Sequence, residues 1–68
     1  MSNNVEEEFI VRFRFALHAT VRVVPLKLEG KVLARCDRGT WREYRVIYWS
    51  ESKRHDEWLC EDELDEAR

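Results

Sequence analysis

The stretch that decides the fold is residues 30–64, GKVLARCDRGTWREYRVIYWSESKRHDEWLCEDEL. Two runs in it, residues 31–35 and 43–49, are rich in the β-branched and aromatic residues that favour strands. The polar cluster at 37–40 between them contains Gly39, which can adopt the positive φ of a tight turn, so a β-hairpin is predicted. A second polar break at 50–56 precedes a third apolar run at 57–60.

Two further strands are predicted upstream. Residues 9–15, FIVRFRF, place Phe9, Val11, Phe13 and Phe15 on one face and Ile10, Arg12 and Arg14 on the other. This alternation predicts an N-terminal strand in which Phe13 and Phe15 are buried. Residues 21–24 form another candidate, which Pro25 ends because proline cannot donate to a strand ladder.

The number and spacing of these segments predict an all-β chain. Five short strands with frequent turns favour a small barrel or a strongly bent sheet. We expect one domain over residues 9–64, flanked by a flexible acidic N-terminus at 1–8 and a flexible tail at 65–68. The acidic end contains good helix formers and predicts a single helical turn at 62–64.

The central strand is apolar on both faces. Alternation puts Tyr44, Val46 and Tyr48 on one side and Arg45, Ile47 and Trp49 on the other. We expect Val46 in the core with one or both tyrosines. Trp49 and Trp58 are predicted to face each other across the last hairpin and to shelter Ile47.

Charge is distributed unevenly along the chain. The net charge is −2, yet residues 9–60 carry eleven Lys and Arg against six acids, a balance of +5. The other eight acids lie in the two ends. A basic body between acidic ends bears on which partners can dock, although mixed charges also keep a small domain soluble.

The sequence gives little support to enzyme or metal chemistry. Cys36 and Cys60 form no CxxC pair, and with His18 and His55 they have no finger-type spacing, so two reduced thiols are expected and no metal. Phosphate loops and nucleophile motifs are lacking, and His55 beside Asp56 is a common chance pair. We therefore expect no enzyme activity, no catalytic residues and no cofactor. The absence of a long apolar run or a secretion signal predicts a cytoplasmic protein that does not cross a membrane.

Several segments together resemble a known class of domain. Residues 30–32 (GKV), 44–49 (YRVIYW), 57–59 (EWL) and 63–64 (EL) resemble the spacing of Tudor-like and KOW-like barrels of the Src-homology-3 type. The chain is also similar to small phage and prophage proteins with a GxV, YxVxYW and EWxxEDEL pattern. This resemblance covers about residues 15–64, and implies a five-stranded barrel that binds peptides, modified side chains or nucleic acids. The segment FIVRFRF is an addition to it, and His18 and Ala19 replace a usual turn glycine.

The candidate binding residues are aromatic and basic. An aromatic cage would need Trp41, Tyr44, Tyr48, Trp49 and Trp58 on one cavity, but alternation separates the tyrosines from Trp49, which favours packing roles instead. Trp41, beside a turn and flanked by Arg38 and Arg42, is predicted to be the most exposed aromatic. The basic set on the two hairpins comprises Arg35, Arg38, Arg42, Arg45, Lys53 and Arg54.

The expected function is a non-catalytic binding or assembly module, related by resemblance to phage or prophage proteins. A protein partner is favoured because Arg, Trp and Tyr are typical hot-spot residues, with Trp41, Arg38, Arg42, Arg45, Tyr48, Trp49 and Trp58 as contacts. The alternative is nucleic-acid binding by the basic hairpins and exposed aromatics. The edge of the N-terminal strand is in addition a candidate homodimer contact.

Overall fold

The computed structural model describes residues 12–67 as an all-β domain. Its strands are β1 (Thr20–Val23), β2 (Leu28–Asp37), β3 (Arg42–Ser50), β4 (Lys53–Cys60) and β5 (Leu64–Glu66). Two 3-10 turns, Val24–Leu26 and Glu61–Glu63, link β1 to β2 and β4 to β5. All pairings are antiparallel in one sheet of order β4-β3-β2-β1-β5. β4 and β5 do not pair, so the sheet is not closed.

The hairpin predicted from residues 31–49 is confirmed. Pairings run from Gly30 opposite Tyr48 to Asp37 opposite Arg42, with a register shift between Val32 and Ala34. A bulge of this kind bends the strand, which lets the long β2 pair with both β1 and β3. In the turn, Gly39 has a φ of 91° and its N–H donates to Asp37 Oδ1 at 2.9 Å.

The last hairpin is tighter than the polar stretch 50–56 indicates. Ser50 pairs with Lys53, and only Glu51 and Ser52 form the turn. Both turn residues have positive φ, 54° and 66°, as a two-residue hairpin turn of type I′ requires. β4 consequently starts at Lys53, four residues before the predicted apolar run.

The inward faces of the strands form one core. The fully buried or nearly buried side chains are Phe15, Val21, Val23, Val32, Tyr44, Val46, Tyr48 and Leu64. Both tyrosines of the central strand are therefore core residues, as is Val46, at 0 to 4% exposure. Trp58, by contrast, is 49% exposed and lies outside this core.

The N-terminal segment is a correction to the predicted fold. Residues 12–15 belong to no strand, whereas residues 9–11 lie outside the described part of the chain. Phe15 is buried as predicted, whereas Phe13 is only half-buried. The backbone N–H groups of both Arg14 and Phe15 point to the Tyr44 hydroxyl, at 3.0 and 3.4 Å. Backbone groups directed at a side chain form no strand ladder, so the alternation here reflects packing of an irregular segment.

The C-terminal end continues past the predicted domain limit at Leu64. The helical turn expected at 62–64 is a 3-10 turn at Glu61–Glu63. Leu64–Glu66 then forms β5, which pairs with β1 from Val23 opposite Leu64 to Val21 opposite Glu66.

Replacement of Gly30 by Ala should destabilise the domain by about 1–3 kcal/mol, the usual cost of overpacking. An added Cβ would lie 2.6 Å from Val46 Cγ1 and 2.8 Å from the Ile47 carbonyl oxygen, which is backbone and cannot rotate away. Gly39→Asn is the control, because no atom lies within 4 Å of that position and Asn tolerates positive φ. Urea unfolding followed by circular dichroism measures both changes. Equal stability of the two variants would contradict the close approach of β2 and β3.

Val46→Ala should destabilise the domain more than Trp58→Ala, although the second substitution removes the larger side chain. Val46 is fully buried, so a cavity costs about 2 kcal/mol. Trp58 is half exposed, and we expect a loss of about 1 kcal/mol or less. The midpoints of thermal unfolding distinguish the cases. A greater loss from the Trp58 variant would place that ring in the core after all.

Candidate functional site

The strand β3 places two different surfaces on its two sides. Tyr44, Val46 and Tyr48 enter the core, so Glu43, Arg45, Ile47 and Trp49 must lie on the opposite face. The register continues this outer face onto β4, where Trp58 lies opposite Arg45 and Arg54 lies opposite Trp49. Trp41 joins it at the start of β3, because its Nε1–H donates to Glu43 Oε2 at 3.0 Å.

All three tryptophans of the chain are thus exposed along one side of the sheet. Trp41 is 49% exposed, Trp49 62% and Trp58 49%. We call this surface, with Ile47 and Arg45 between the rings, the tryptophan face. It extends about 27 Å from Trp41 to Trp49, given the rise of an antiparallel strand. Large rings left in water on one surface are typical of a contact site.

Trp49 and Trp58 do not face each other, contrary to the sequence prediction. Trp49 lies opposite Arg54, and Trp58 lies opposite Arg45, four residues along β3. The two-residue turn at Glu51 and Ser52 sets this register. Ile47 lies between the two tryptophan positions and is half-buried.

The arginines of the tryptophan face already have acidic partners. Arg45 makes two bonds to Asp56, from Nε to Oδ1 at 2.8 Å and from Nη2 to Oδ2 at 2.6 Å. Arg54 Nη2 lies 3.8 Å from the same Oδ2, and Arg38 Nε lies 3.2 Å from Glu43 Oε1. These ion pairs neutralise most of the positive charge that a phosphate backbone would need.

These contacts shift the pKa values of two carboxylates, Asp56 and Glu43. The hydrogen bond from Arg45 lowers the pKa of Asp56 below its ordinary value, with a smaller contribution from the charge of Arg54. The pKa of Glu43 is lowered first by the hydrogen bond from Trp41 and then by Arg38. Both acids therefore stay charged at neutral pH.

Two predicted members of the basic set lie away from this face. The Arg35 guanidinium lies 4.6 Å from the centre of the Phe13 ring and donates to the Phe15 carbonyl at 3.3 Å, which holds the N-terminal segment to the sheet. Arg42 is half-buried, and its Nε has no hydrogen-bond partner among the described residues. The two hairpins therefore do not present one continuous basic surface.

Tyr48 lies in the core rather than on the surface. It is 4% exposed, and its ring stacks on His55 with centres 5.0 Å apart and planes 10° apart. Burial, followed by the hydrogen bond to Glu57, raises the pKa of Tyr48. Of the predicted contacts, the fold brings together Trp41, Arg38, Arg45, Trp49 and Trp58, while Arg42 and Tyr48 point elsewhere.

A shallow cleft lies at each end of the tryptophan face. One, of about 400 Å³, is lined by Arg14, Thr40, Trp41, Arg42, Cys60, Glu61 and Asp62. The other, of about 380 Å³, is lined by Thr20, Glu29, Gly30, Lys31, Ile47, Tyr48 and Trp49. A tryptophan borders each cleft, so a partner could insert a side chain beside either ring.

The two cysteines lie on either side of β3. Cys36 and Cys60 both pair with Glu43 from neighbouring strands, so about two strand spacings, roughly 10 Å, separate them. A disulfide requires Cα atoms within about 7 Å, and both thiols are free. Burial, with a further contribution from Glu63, raises the pKa of the Cys60 thiol. Within residues 12–67, no three His, Cys, Asp or Glu side chains are grouped to hold a metal ion.

Residues 12–67 contain no helix of the length and apolarity needed to cross a membrane. Comparisons with models of known protein families, with curated proteins and with solved structures gave no match to this chain.

Replacing Arg45 by Gln should raise the pKa of Asp56 towards its ordinary value, because the largest cause of the lowered pKa is removed. The lowered pKa stabilises the fold above the unfolded pKa of Asp56, and that contribution disappears as pH falls through the folded pKa. Arg45→Gln should thus reduce the acid sensitivity of stability. Carboxyl chemical shifts followed against pH measure the pKa directly.

Arg54→Gln is the matched control for this titration. Arg54 lies 3.8 Å from Asp56 and is the smallest of the causes that lower its pKa. A larger rise of the Asp56 pKa in this variant than in Arg45→Gln would contradict the assigned pairing.

Proposed function

We propose that this chain is a non-catalytic protein-binding module that contacts its partner through the tryptophan face. The observation that carries the proposal is the exposure of all three tryptophans on one side of the sheet, with arginines between them. Tryptophan and arginine dominate the binding energy of protein interfaces. Tryptophan rings exposed to water do not stabilise a small domain. Their position is explained if a partner covers them.

The fold that we propose for this module is a partly open barrel of the Src-homology-3 or Tudor-like type. The strand order supports it, since the last strand returns to pair with the first and so bends the meander towards closure. The bulge in β2 and the 3-10 turn between β4 and β5 also favour a strongly curved sheet. The origin among small phage or prophage proteins is part of the same proposal and rests on the sequence pattern alone.

The charges favour a protein over a nucleic acid as the partner. Arg38, Arg45 and Arg54 each lie beside an acid, so a phosphate would compete with Glu43 or Asp56 for the guanidinium groups. A protein surface with apolar recesses and a rim of both charge signs suits this arrangement better.

The test replaces Trp49 and Trp58 by Ala in one variant and two exposed leucines, Leu17 and Leu26, by Ala in a control. All four side chains are 44–62% exposed, so both variants should fold. A photo-crosslinking amino acid at position 47, between the two rings, captures the partner in the source cells. We expect the tryptophan variant to lose this adduct, since a hot-spot residue contributes about 2 kcal/mol or more, and the leucine variant to keep it.

Nucleic acid is tested separately by fluorescence anisotropy with single- and double-stranded oligonucleotides. We expect no binding at physiological salt. Affinity that falls steeply with salt and is weakened by Arg45→Glu would overturn the proposal, because that is the signature of phosphate contacts.

A further inference from the structure

The strand β4 has one edge with which no described strand pairs. It lies at the end of the strand order and pairs with β3 along its whole length, from Ser50 opposite Lys53 to Glu43 opposite Cys60, without a bulge. Among residues 12–67, no strand pairs with its other side. A regular edge of eight residues presents a row of N–H and C=O groups that can accept another strand.

The charges along β4 are arranged in two blocks. The strand begins with the bases Lys53 and Arg54 and continues with the acids Asp56 and Glu57, and the acidic turn Glu61–Glu63 follows it. Charges protect an edge from pairing when they repel a second copy, which requires an excess of one sign. Two bases against two acids over residues 53–57 leave no excess, with His55 counted as neutral. The edge is therefore self-complementary rather than guarded.

We propose that two copies of the chain pair antiparallel along β4 and form one continuous ten-stranded sheet. A twofold axis perpendicular to the sheet makes the paired strands antiparallel and keeps matching faces on the same side. With the twofold axis at His55, Lys53 of one copy lies opposite Glu57 of the other. Arg54 then lies opposite Asp56, so opposite charges pair over residues 53–57. Parallel pairing in register would oppose like charges instead. The tryptophan faces of the two copies then lie on one side of the sheet.

The other candidate contacts fit a second copy less well. The edge strand β5 has three residues and offers fewer backbone bonds than β4. The homodimer contact predicted for residues 9–15 required a strand there, and residues 12–15 form none. β4 is the longest edge in the described part of the chain.

The test reverses one charge of each block in separate variants of the full chain. One variant carries Lys53→Glu and the other carries Glu57→Lys, because these two residues oppose each other between the copies. We expect the parent to dimerise in sedimentation equilibrium, and each variant alone to raise the dimer dissociation constant about tenfold or more, because opposed strands then bear like charges. An equimolar mixture of the two variants should restore the dimer as a heterodimer.

The control carries Lys27→Glu, which matches the charge change of Lys53→Glu on an exposed residue between β1 and β2, away from β4. We expect it to dimerise like the parent, and likewise Trp49→Ala, which leaves the β4 edge intact. Three results would overturn the proposal: a parent that stays monomeric up to about 1 mM, a dimer unaffected by the β4 reversals, or a mixture that stays monomeric.

Discussion

The side chain of Tyr44 connects the N-terminal segment and the 3-10 turn before β5 to the core. Its ring is fully buried, and the rings of Phe13 and Phe15 pack edge-on against it at 5.9 and 5.4 Å between centres. Its hydroxyl accepts a hydrogen bond from the backbone N–H of Arg14 at 3.0 Å and donates one to the carboxylate of Glu61. One side chain of β3 thereby holds the N-terminal segment and the 3-10 turn before β5 against the same core. Burial, and then the hydrogen bond to Glu61, raise the pKa of Tyr44, so its hydroxyl stays a donor at neutral pH. Without this contact the open side of the sheet would expose the aromatic core to water, and the cost would be large for a chain that buries only about 60% of its unfolded surface.

The candidate site follows from the core because side chains in a strand alternate. Once Tyr44, Val46 and Tyr48 are committed to the inside, Trp49 must lie outside, and the hairpin register brings Trp58 onto the same surface. A slip by one residue would bury the tryptophans and expose the tyrosines, so the core and the tryptophan face specify each other. The bidentate pair of Arg45 and Asp56 joins β3 to β4 on the outside and favours the same register. The Arg45 side chain is 45% exposed and that of Asp56 23%, so the pair contributes to orientation more than to stability.

The sequence predicted the fold correctly where the alternation of apolar residues and the turn residues indicated the same structure. The alternation in β3 predicted its two faces, and Gly39 marked the turn between β2 and β3. Prediction failed where local rules were broken. Glu51 and Ser52 adopt positive φ without glycine or asparagine, so nothing in the sequence indicated a turn of two residues. That error displaced the start of β4 and with it the partner of Trp58. The arrangement of the arginines was equally hidden, because ion pairs such as Arg45 with Asp56 depend on register rather than on composition. Residues 12–15 have the alternation of a strand, and Phe15 is buried, but they form no strand. The alternation predicts which side chains are buried and does not predict backbone hydrogen bonds.

The proposed face and the proposed edge together suit a module that works by assembly. A face two strands wide and about 27 Å long covers about 270 Å² at the usual strand spacing, which is less than the roughly 800 Å² that each partner of a stable complex commonly contributes. Pairing along β4 would double the number of tryptophans on one surface without any change inside the domain. Two linked weak contacts bind far more tightly than one, because the second contact forms at high effective concentration. A dimer of this small domain would thus bind its partner tightly through two weak contacts. On this argument, disruption of the β4 edge would weaken partner binding even though every side chain of the tryptophan face is retained.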